Sequence, residues 1–365
     1  MNFNCYMPTR VISGEGCLLK NAMELKKLGS RALLVTGKHA AAASGALDEM
    51  KTALAENGIT YVHFDEIREN PLLITCHRAG EIAKAEGCDF VVAIGGGSVQ
   101  DAGKAIAAFA ANDLQPEEIY DFSKWEKALK IAAVGTTAGT GSEVTAVSVL
   151  TRENGQKKSI TRPVLYASLA FADARYTASC GRELTFSTAI DAVSHALEAY
   201  FSAKSGDYSD GCALQALRLL VPALNECAQT AVFTKSIRED LYAGSLWAGL
   251  ALNACGTCFP HPFGYLLTEQ FGLPHGYACG VFLPEFIARA AKYAPQKADR
   301  LERETSLSLN ETARLIQKLT AHLQFGLTEE LISAAAERFD GARNLLNSPG
   351  GFSKEETVAL LRSKM

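Results

Sequence analysis

Between Arg31 and Asp173 the chain keeps returning to one pattern: a short apolar run, a helical stretch, then another short apolar run. Arg31-Ala-Leu-Leu-Val-Thr-Gly37 reads as a buried strand ending at a glycine. Ala46 to Glu56 reads as an amphipathic helix closed by Asn57-Gly58. Tyr61 to Asp65 is a second strand. Thr75 to Glu86 is helical and closes at Gly87. Asp89 to Ile94 is the third strand, Val99 to Ala111 a further helix, and Lys130 to Gly135 the fourth strand. Strands that alternate with helices make a parallel, doubly wound layer, because each helix carries the chain back across the sheet. Ligands of such layers sit at the carboxyl ends of the strands. Ser148 to Ile160 reads as a hairpin turning at Glu153-Asn154-Gly155, and Ala167 to Asp173 as the last strand of this half.

From about Cys180 onward the strand signals stop. Helical periods follow over Asp210–Cys227, Ser236–Asn253, Leu283–Tyr293, Leu309–Leu323, Glu329–Arg338 and Lys354–Arg362. The expected organisation is an α/β nucleotide domain with a parallel sheet over residues 1–180 and an all-helical domain over residues 181–365. A chain of 365 residues is long enough for two domains.

Composition excludes several classes. A formal charge of -4 lacks the basic face that non-specific nucleic-acid binding needs. The N-terminal residues Met1 to Pro8 have neither the basic nor the apolar region of a signal peptide. Ten cysteines without such a peptide suggest reduced thiols in a cytoplasmic protein. Ala243 to Phe259 is the stretch most like a membrane span. It is short and carries Ser245, Asn253 and Thr257, so a buried core helix is expected and no membrane partner. Cys255-Gly-Thr-Cys258 has redox-motif spacing without the strand-turn-helix setting, which leaves plain buried thiols.

Two glycine-rich loops stand at strand ends. Gly95-Gly96-Gly97-Ser98 follows Ile94 directly and precedes a helix. Glycines let backbone approach a phosphate, and a helix start offers free N–H groups and a partial positive charge. Thr136-Thr137-Ala-Gly-Thr140-Gly-Ser-Glu143 follows Gly135, and its hydroxyls suit phosphate and ribose oxygens. Neither loop is Gly-x-Gly-x-x-Gly, and no Walker A lysine follows. Tight turns without a ligand are the bland reading; two such loops at adjacent strand ends weigh against it. Lys157 and Lys158, beyond the hairpin turn, read equally as a solvated strand face.

The second half carries a different chemistry. Thr185 to Tyr200 has helical periodicity, with Ser187 or Thr188 as the expected N-cap. Asp191 and His195, four apart, project from one helix face. Alone they are as well explained by a solvated polar pair. His261 and His275 are 14 apart. On one continuous helix that would separate them by about 21 Å. Metal donors lie about 2.0–2.2 Å from the ion, so a shared ion requires the chain to fold back between them. Gly272 and Pro274 can end a helix and turn the chain there, and Pro260 and Gly276 bracket the two histidines. One carboxylate and three imidazoles suit Fe(II), Zn(II) or Co(II). The bland alternative is three histidines with unrelated roles.

Four long motifs in order carry a resemblance. They are Gly95-Gly-Gly-Ser-Val-Gln-Asp101-Ala-Gly-Lys104, Thr136-Thr-Ala-Gly-Thr-Gly-Ser-Glu-Val-Thr145, Asp191-Ala-Val-Ser-His195-Ala-Leu-Glu-Ala-Tyr200, and His261 followed by His275-Gly276. Over nearly its whole length the chain resembles the iron-containing (group III) alcohol dehydrogenases, which share the dehydroquinate synthase-like fold. The resemblance implies Asp191, His195, His261 and His275 as metal ligands, with Fe(II) the expected ion and Zn(II) the alternative. It implies a dinucleotide over the two loops, with Gly96, Gly97 and Ser98 at the pyrophosphate and Thr136, Thr137 and Thr145 around the ribose and nicotinamide. Asp101 matches a family position beside that site, and Lys158 matches the family's cofactor-contacting lysine. Many members carry a further histidine four residues after the third ligand; here that residue is Tyr265, which either packs against the cofactor or orients substrate and relays a proton. NAD-preferring members often have aspartate where this chain has Gly37. Gly37 carries no charge, and Lys38 and His39 follow it, so NADP(H) is expected over NAD(H).

The expected function is hydride transfer between a nicotinamide cofactor and a small alcohol or aldehyde at a metal-polarised oxygen, working as an aldehyde reductase. Members with tyrosine at the Tyr265 position include some that resemble phosphonoacetaldehyde reductases, which makes an anionic aldehyde an alternative substrate. A non-redox lyase or cyclase of the dehydroquinate synthase type and a non-catalytic nucleotide-binding module are the other readings. The apolar helical half suggests self-association as a homodimer.

Overall fold

Six strands form one parallel sheet, in the spatial order Arg10–Ser13, Leu169–Ala172, Lys130–Gly135, Phe90–Gly95, Arg31–Thr36 and Thr60–Phe64. They are β1 (Arg10–Ser13), β2 (Arg31–Thr36), β3 (Thr60–Phe64), β4 (Phe90–Gly95), β5 (Lys130–Gly135) and β8 (Leu169–Ala172). The strands β6 (Val147–Thr151) and β7 (Lys157–Thr161) form the expected antiparallel hairpin, with Gly155 at φ 80° in its turn. This computed structural model describes residue 3 and residues 5–365.

Side chains alternate across the sheet because successive residues of a strand point to opposite faces. Leu33, Val35, Val91 and Ala93 join one core with Cys76, Ala79, Ala105, Ile106 and Phe109 from the helices Leu73–Ala85 and Gly97–Ala111. Ala32, Leu34, Phe90, Val92 and Ile94 join another with Leu18, Met50 and Leu54 on the opposite face. Central strands covered on both faces read as continuous apolar runs, which is how they were visible in sequence. The edge strand β1 was not. It has four residues, none buried, and is too short to show a period.

The strand order has one reversal. From β2 the chain steps outward to β3, then returns past β2 to β4 and continues to β5. Ligands of open α/β sheets bind at such a switch point, outside the carboxyl ends of the strands. Gly37 follows β2 there, the Gly95–Gly97 turn ends β4, and Gly135 ends β5 directly beside Gly95.

The sheet-bearing unit comprises Met7–Gly181 and Thr234–Tyr242. The helical unit comprises Arg182–Phe233 and Ala243–Met365, with the N-terminal stretch up to Tyr6. Its first helix spans Arg182–Phe201, so the expected cap at Ser187 or Thr188 is corrected. Both lie inside the helix. The Thr188 hydroxyl donates to the Leu184 carbonyl at 2.9 Å, the back-bonding open to a mid-helix threonine, and Ser187 Oγ accepts the Tyr277 N–H at 3.4 Å. Among the described residues no helix is long and apolar enough to cross a membrane.

Candidate functional site

In the sheet-bearing unit the two loops pack on each other. A Cβ on Gly96 would lie 3.0 Å from the Thr137 side chain, and one on Gly97 would overlap that of Thr140. The Thr136 N–H donates to the Gly95 carbonyl at 3.1 Å. Gly97 opens the helix Gly97–Ala111, so its first N–H groups lie at the carboxyl end of β4. Ser98 Oγ accepts the N–H of Asn70, a residue in the left-handed region at φ 55°.

Asp101 ties three elements together. Its carboxylate accepts the Ser142 hydroxyl at 2.7 Å and the Val149 N–H at 2.9 Å, and its carbonyl accepts the Ser148 hydroxyl at 2.7 Å. Lys104, one turn later and buried, donates to Ser142 Oγ at 2.6 Å, to the Val147 carbonyl at 2.8 Å and to Thr145 Oγ1 at 3.4 Å. Burial pushes the Lys104 ammonium down to about 8 and pushes the Asp101 carboxyl up, against the charge of Lys104. Asp101 and Thr145 therefore hold the loop and hairpin in place through buried contacts. Thr136 is buried as well, and its carbonyl accepts the Cys180 thiol at 3.2 Å.

Lys158 and Gly37 complete the expected cofactor residues. Lys158 is exposed, with its ammonium 4.2 Å from the centre of the Tyr120 ring. Of Lys157 and Lys158 it is Lys157 whose charge reaches Asp101, adding to the larger effect of Lys104. Alternation along β7 separates the two lysines, and a one-residue shift in matching the hairpin exchanges them. Gly37 has less room than its missing side chain suggests: a Cβ there would lie 2.9 Å from the Ile67 carbonyl oxygen. Lys38 is engaged, with Nζ 2.8 and 2.9 Å from the two Asp65 carboxylate oxygens. That bond holds the Asp65 carboxyl below its ordinary value.

In the helical unit, three separate helices bring the predicted ligands together. Asp191 and His195 lie mid-way along Arg182–Phe201. His261 is in the first turn of Pro260–Phe271, and His275 opens His275–Gly280. The fold-back occurs where the sequence placed it. Gly272 caps the second helix in the left-handed region at φ 68°, and Pro274 caps the third. Gly276 then lets the chain press onto the first helix, where a Cβ would overlap the Ser187 carbonyl oxygen. Tyr277 fastens the same contact, its hydroxyl donating to Glu183 at 2.9 Å.

The Nε2 atoms of His195, His261 and His275 lie 3.7, 3.6 and 3.8 Å from one atom, Asp191 Oδ1. These separations are too long for hydrogen bonds. Donors bonded to a tetrahedral ion at about 2.0–2.2 Å are spaced about 3.3–3.6 Å apart, so these separations come within about 0.2 Å of the shell of a single ion. Asp191, His195 and His261 are buried, and the His275 side chain is 24% exposed, which gives the cluster an open side. Tyr265 stacks on His275, with ring centres 5.0 Å apart and planes at 16°, and meets His261 edge-on at 6.4 Å.

Two members of this cluster were given no role from sequence. Glu198 is fully buried, and its carboxylate lies 2.7 Å from His261 Nδ1. The signal was present: Asp191, Ser194, His195 and Glu198 form a polar stripe at i, i+3, i+4 and i+7 within the buried, otherwise mostly apolar part of the helix from Ala189 to Phe201. Cys279 Sγ lies 3.7 Å from His275 Nε2, and with Asp191, His261 and His275 it offers donor atoms all within 4.8 Å of one another. A cysteine one turn after His275 carries no distinguishing pattern in a chain with ten of them. None of the ten forms a disulfide. Burial pushes the Cys258 thiol well up, and it donates to the Glu198 and Asn347 carbonyls, as expected of an inert thiol.

Comparison with known proteins agrees with both halves. The family model for iron-containing alcohol dehydrogenase matches residues 8–174, and that for the C-terminal part of the Fe-containing alcohol dehydrogenase family matches residues 185–365. A 1,3-propanediol dehydrogenase of Citrobacter freundii is 32% identical over 353 residues, covering 93% of this chain and 88% of its own. The structure of an iron-containing alcohol dehydrogenase from Thermotoga maritima is 36% identical, with a TM-score of 0.92 over 99% of each chain. A sulfoacetaldehyde reductase from Bifidobacterium kashiwanohense, solved in complex with NAD+, is 29% identical, with a TM-score of 0.88 over 100% of this chain and 98% of its own. With family models over both halves and these identities across nearly its full length, the chain belongs to the iron-containing alcohol dehydrogenase family.

Proposed function

We propose that this protein is a metal-dependent, NAD(P)-linked alcohol dehydrogenase working as a reductase of small aldehydes, with NADP(H) favoured over NAD(H). The observation that carries the reading is the convergence of three imidazole Nε2 atoms on one carboxylate oxygen of Asp191. In this reading Asp191, His195, His261 and His275 hold one divalent ion, Fe(II) or in its place Zn(II). When bound, the ion polarises the substrate oxygen as a Lewis acid and the nicotinamide exchanges the hydride.

The chain's own residues supply position and a proton path. Gly96, Gly97 and Ser98 offer backbone N–H groups to the pyrophosphate, with Thr136, Thr137 and Thr145 around the ribose and nicotinamide. Lys104 donates to the Thr145 hydroxyl, Asp101 and Lys104 anchor the same loop through Ser142, and Lys157 adds positive charge near it. Carbonyl reduction takes up one proton along with the hydride. Stacking on His275 fixes the ring of Tyr265, and its hydroxyl is the side-chain donor we assign to orient substrate or deliver that proton.

The family assignment supports redox chemistry over a lyase or cyclase. The similarity to a 1,3-propanediol dehydrogenase and to a sulfoacetaldehyde reductase supports a small alcohol or aldehyde, with an anionic aldehyde such as a phosphono- or sulfo-acetaldehyde as the second reading. The test is a panel of neutral and anionic short aldehydes and alcohols assayed with NADPH and NADH, after reconstitution with Fe(II) or Zn(II). Metal-dependent oxidation of NADPH by at least one aldehyde is expected. Turnover indifferent to metal removal would reject the reading. A homodimer is proposed with it, and sedimentation velocity measures that directly.

A further inference from the structure

Glu198 sits one turn beyond His195 on the Arg182–Phe201 helix, with no exposed surface. A carboxylate is costly to bury unless its oxygens are occupied. Here both are. Oε1 lies 2.7 Å from His261 Nδ1 and accepts the Ser194 hydroxyl, and Oε2 accepts the Cys258 backbone N–H at 2.6 Å. The carboxylate thus grips the imidazole of His261 and the backbone three residues before it. The same run of chain is fastened again where the Phe259 N–H donates to Ser348 Oγ at 3.0 Å and where Asn347 Nδ2 donates to the Cys255 and Thr257 carbonyls at 3.0 and 3.1 Å.

This arrangement decides how His261 is presented. Both Glu198 oxygens already accept, Oε1 from Ser194 and Oε2 from Cys258, so at 2.7 Å Nδ1 of His261 is the donor and carries the proton. Nε2 is then the nitrogen with a lone pair, and it is the one 3.6 Å from Asp191 Oδ1. We propose that Glu198 is a positioning residue for the metal: it fixes the tautomer and ring plane of His261 and raises the basicity of that ligand. Partners of this kind tune affinity without touching the ion. The proposal rests on the four-ligand reading of the site, and its test separates the two.

The experiment uses the full chain, wild type and Glu198→Gln. Glutamine keeps the size but has one oxygen, so it cannot accept from His261, Ser194 and Cys258 as the carboxylate does. Zn(II) affinity is measured by competition with a chromogenic chelator, and the melting temperature of the metal-free protein is recorded alongside. The expected result is a Zn(II) dissociation constant raised about 10–100-fold, with Glu198→Asp falling between. Wild-type affinity in Glu198→Gln overturns the proposal and leaves the four-ligand reading intact. A wild type that binds no stoichiometric Zn(II) overturns both. If Glu198→Gln does not fold, the tautomer is read in the metal-free wild type by ¹⁵N–¹H correlation on histidine-labelled protein, with His261→Ala assigning the signal. A His261 ring protonated on Nδ1 is expected; protonation on Nε2 overturns the proposal.

Discussion

In the sheet-bearing unit the groups at the strand ends are mostly backbone: the turn Gly95–Gly97, the opening N–H groups of the helix that follows, and a threonine loop packed on both. In the helical unit they are side chains, delivered from three helices onto one oxygen of Asp191. A backbone site is specified by a contiguous motif, since strand, turn and helix start follow each other directly. A side-chain site is specified by helix register and by the turns that bring distant helices together. The first tolerates a substitution if the loop keeps its shape. The second loses a donor with every ligand replaced.

That contrast sets the largest expected effect. His261→Ala removes one of four donors from a buried cluster and leaves Glu198 facing an empty space. Stoichiometric metal should be lost by elemental analysis, and kcat/KM should fall about 10³-fold or more, because Lewis-acid stabilisation amounts to several kcal/mol and each 1.36 kcal/mol is tenfold. Dinucleotide affinity should stay as in wild type. Full metal content in this variant would break the side-chain half of the comparison.

Tyr265 lies against His261 and His275, and two substitutions divide its roles. Tyr265→Phe keeps the stack on His275 and removes only the hydroxyl. If that hydroxyl handles a proton, kcat falls by about 10² or more with metal content unchanged. Unchanged kcat in Tyr265→Phe, with weaker metal binding in Tyr265→Ala, would reduce Tyr265 to a packing residue for His275.

How much was legible follows the same division. Strand ends and glycine loops were readable because the local pattern is the structure there: β5 and the helix Ala46–Glu56 have the boundaries their sequence gives. The candidate ligands Asp191, His195, His261 and His275 were readable as a pattern of residue types, and Gly272 and Pro274 marked the turn between two of them. Glu198 was given no role because its partner, His261, is 63 residues away and only tertiary packing joins them. The helix Pro295–Thr305 escaped because it buries only Ala298, Leu301 and Thr305, too few apolar positions to show a period. At Gly97 the structure adds a second reason for glycine. Glycine was read as room for a phosphate, whereas a Cβ there would also overlap Thr140.

Gly97 is therefore the place to test the backbone half. Gly97→Ala should raise the cofactor KM roughly tenfold and destabilise the unit by about 1–3 kcal/mol, as overpacking does. The double variant Gly97→Ala, Thr140→Ala removes the colliding side chain. Stability measured by urea unfolding should return toward that of Thr140→Ala alone, since residues in contact couple by about 0.5–3 kcal/mol. If cofactor KM returns too, packing was the reason for glycine. If stability returns and KM does not, the phosphate reading holds.

The smallest effect concerns cofactor choice at the end of β2, where backbone and side chain meet. Gly37 offers no carboxylate to a ribose 2′-hydroxyl, which is the ground for the proposed NADP(H) preference. Gly37→Asp is a poor probe, because its Cβ would press on the Ile67 carbonyl 2.9 Å away and shift the loop as well as add charge. Lys38 is the better one. Its ammonium is paired with Asp65, and both side chains are about half exposed. An exposed ion pair holds weakly, so Lys38 can leave Asp65 for a 2′-phosphate at little cost. Lys38→Ala should lower kcat/KM for NADPH about three- to tenfold, the size of one screened charge contact, and leave NADH unaffected. Asp65→Asn frees the ammonium and should move the NADPH/NADH ratio the other way. Both shifts should shrink in high salt, since the groups lie at the surface. A wild type that prefers NADH would reject the NADP(H) assignment outright, and equal losses with both cofactors in Lys38→Ala would place Lys38 in loop stability instead.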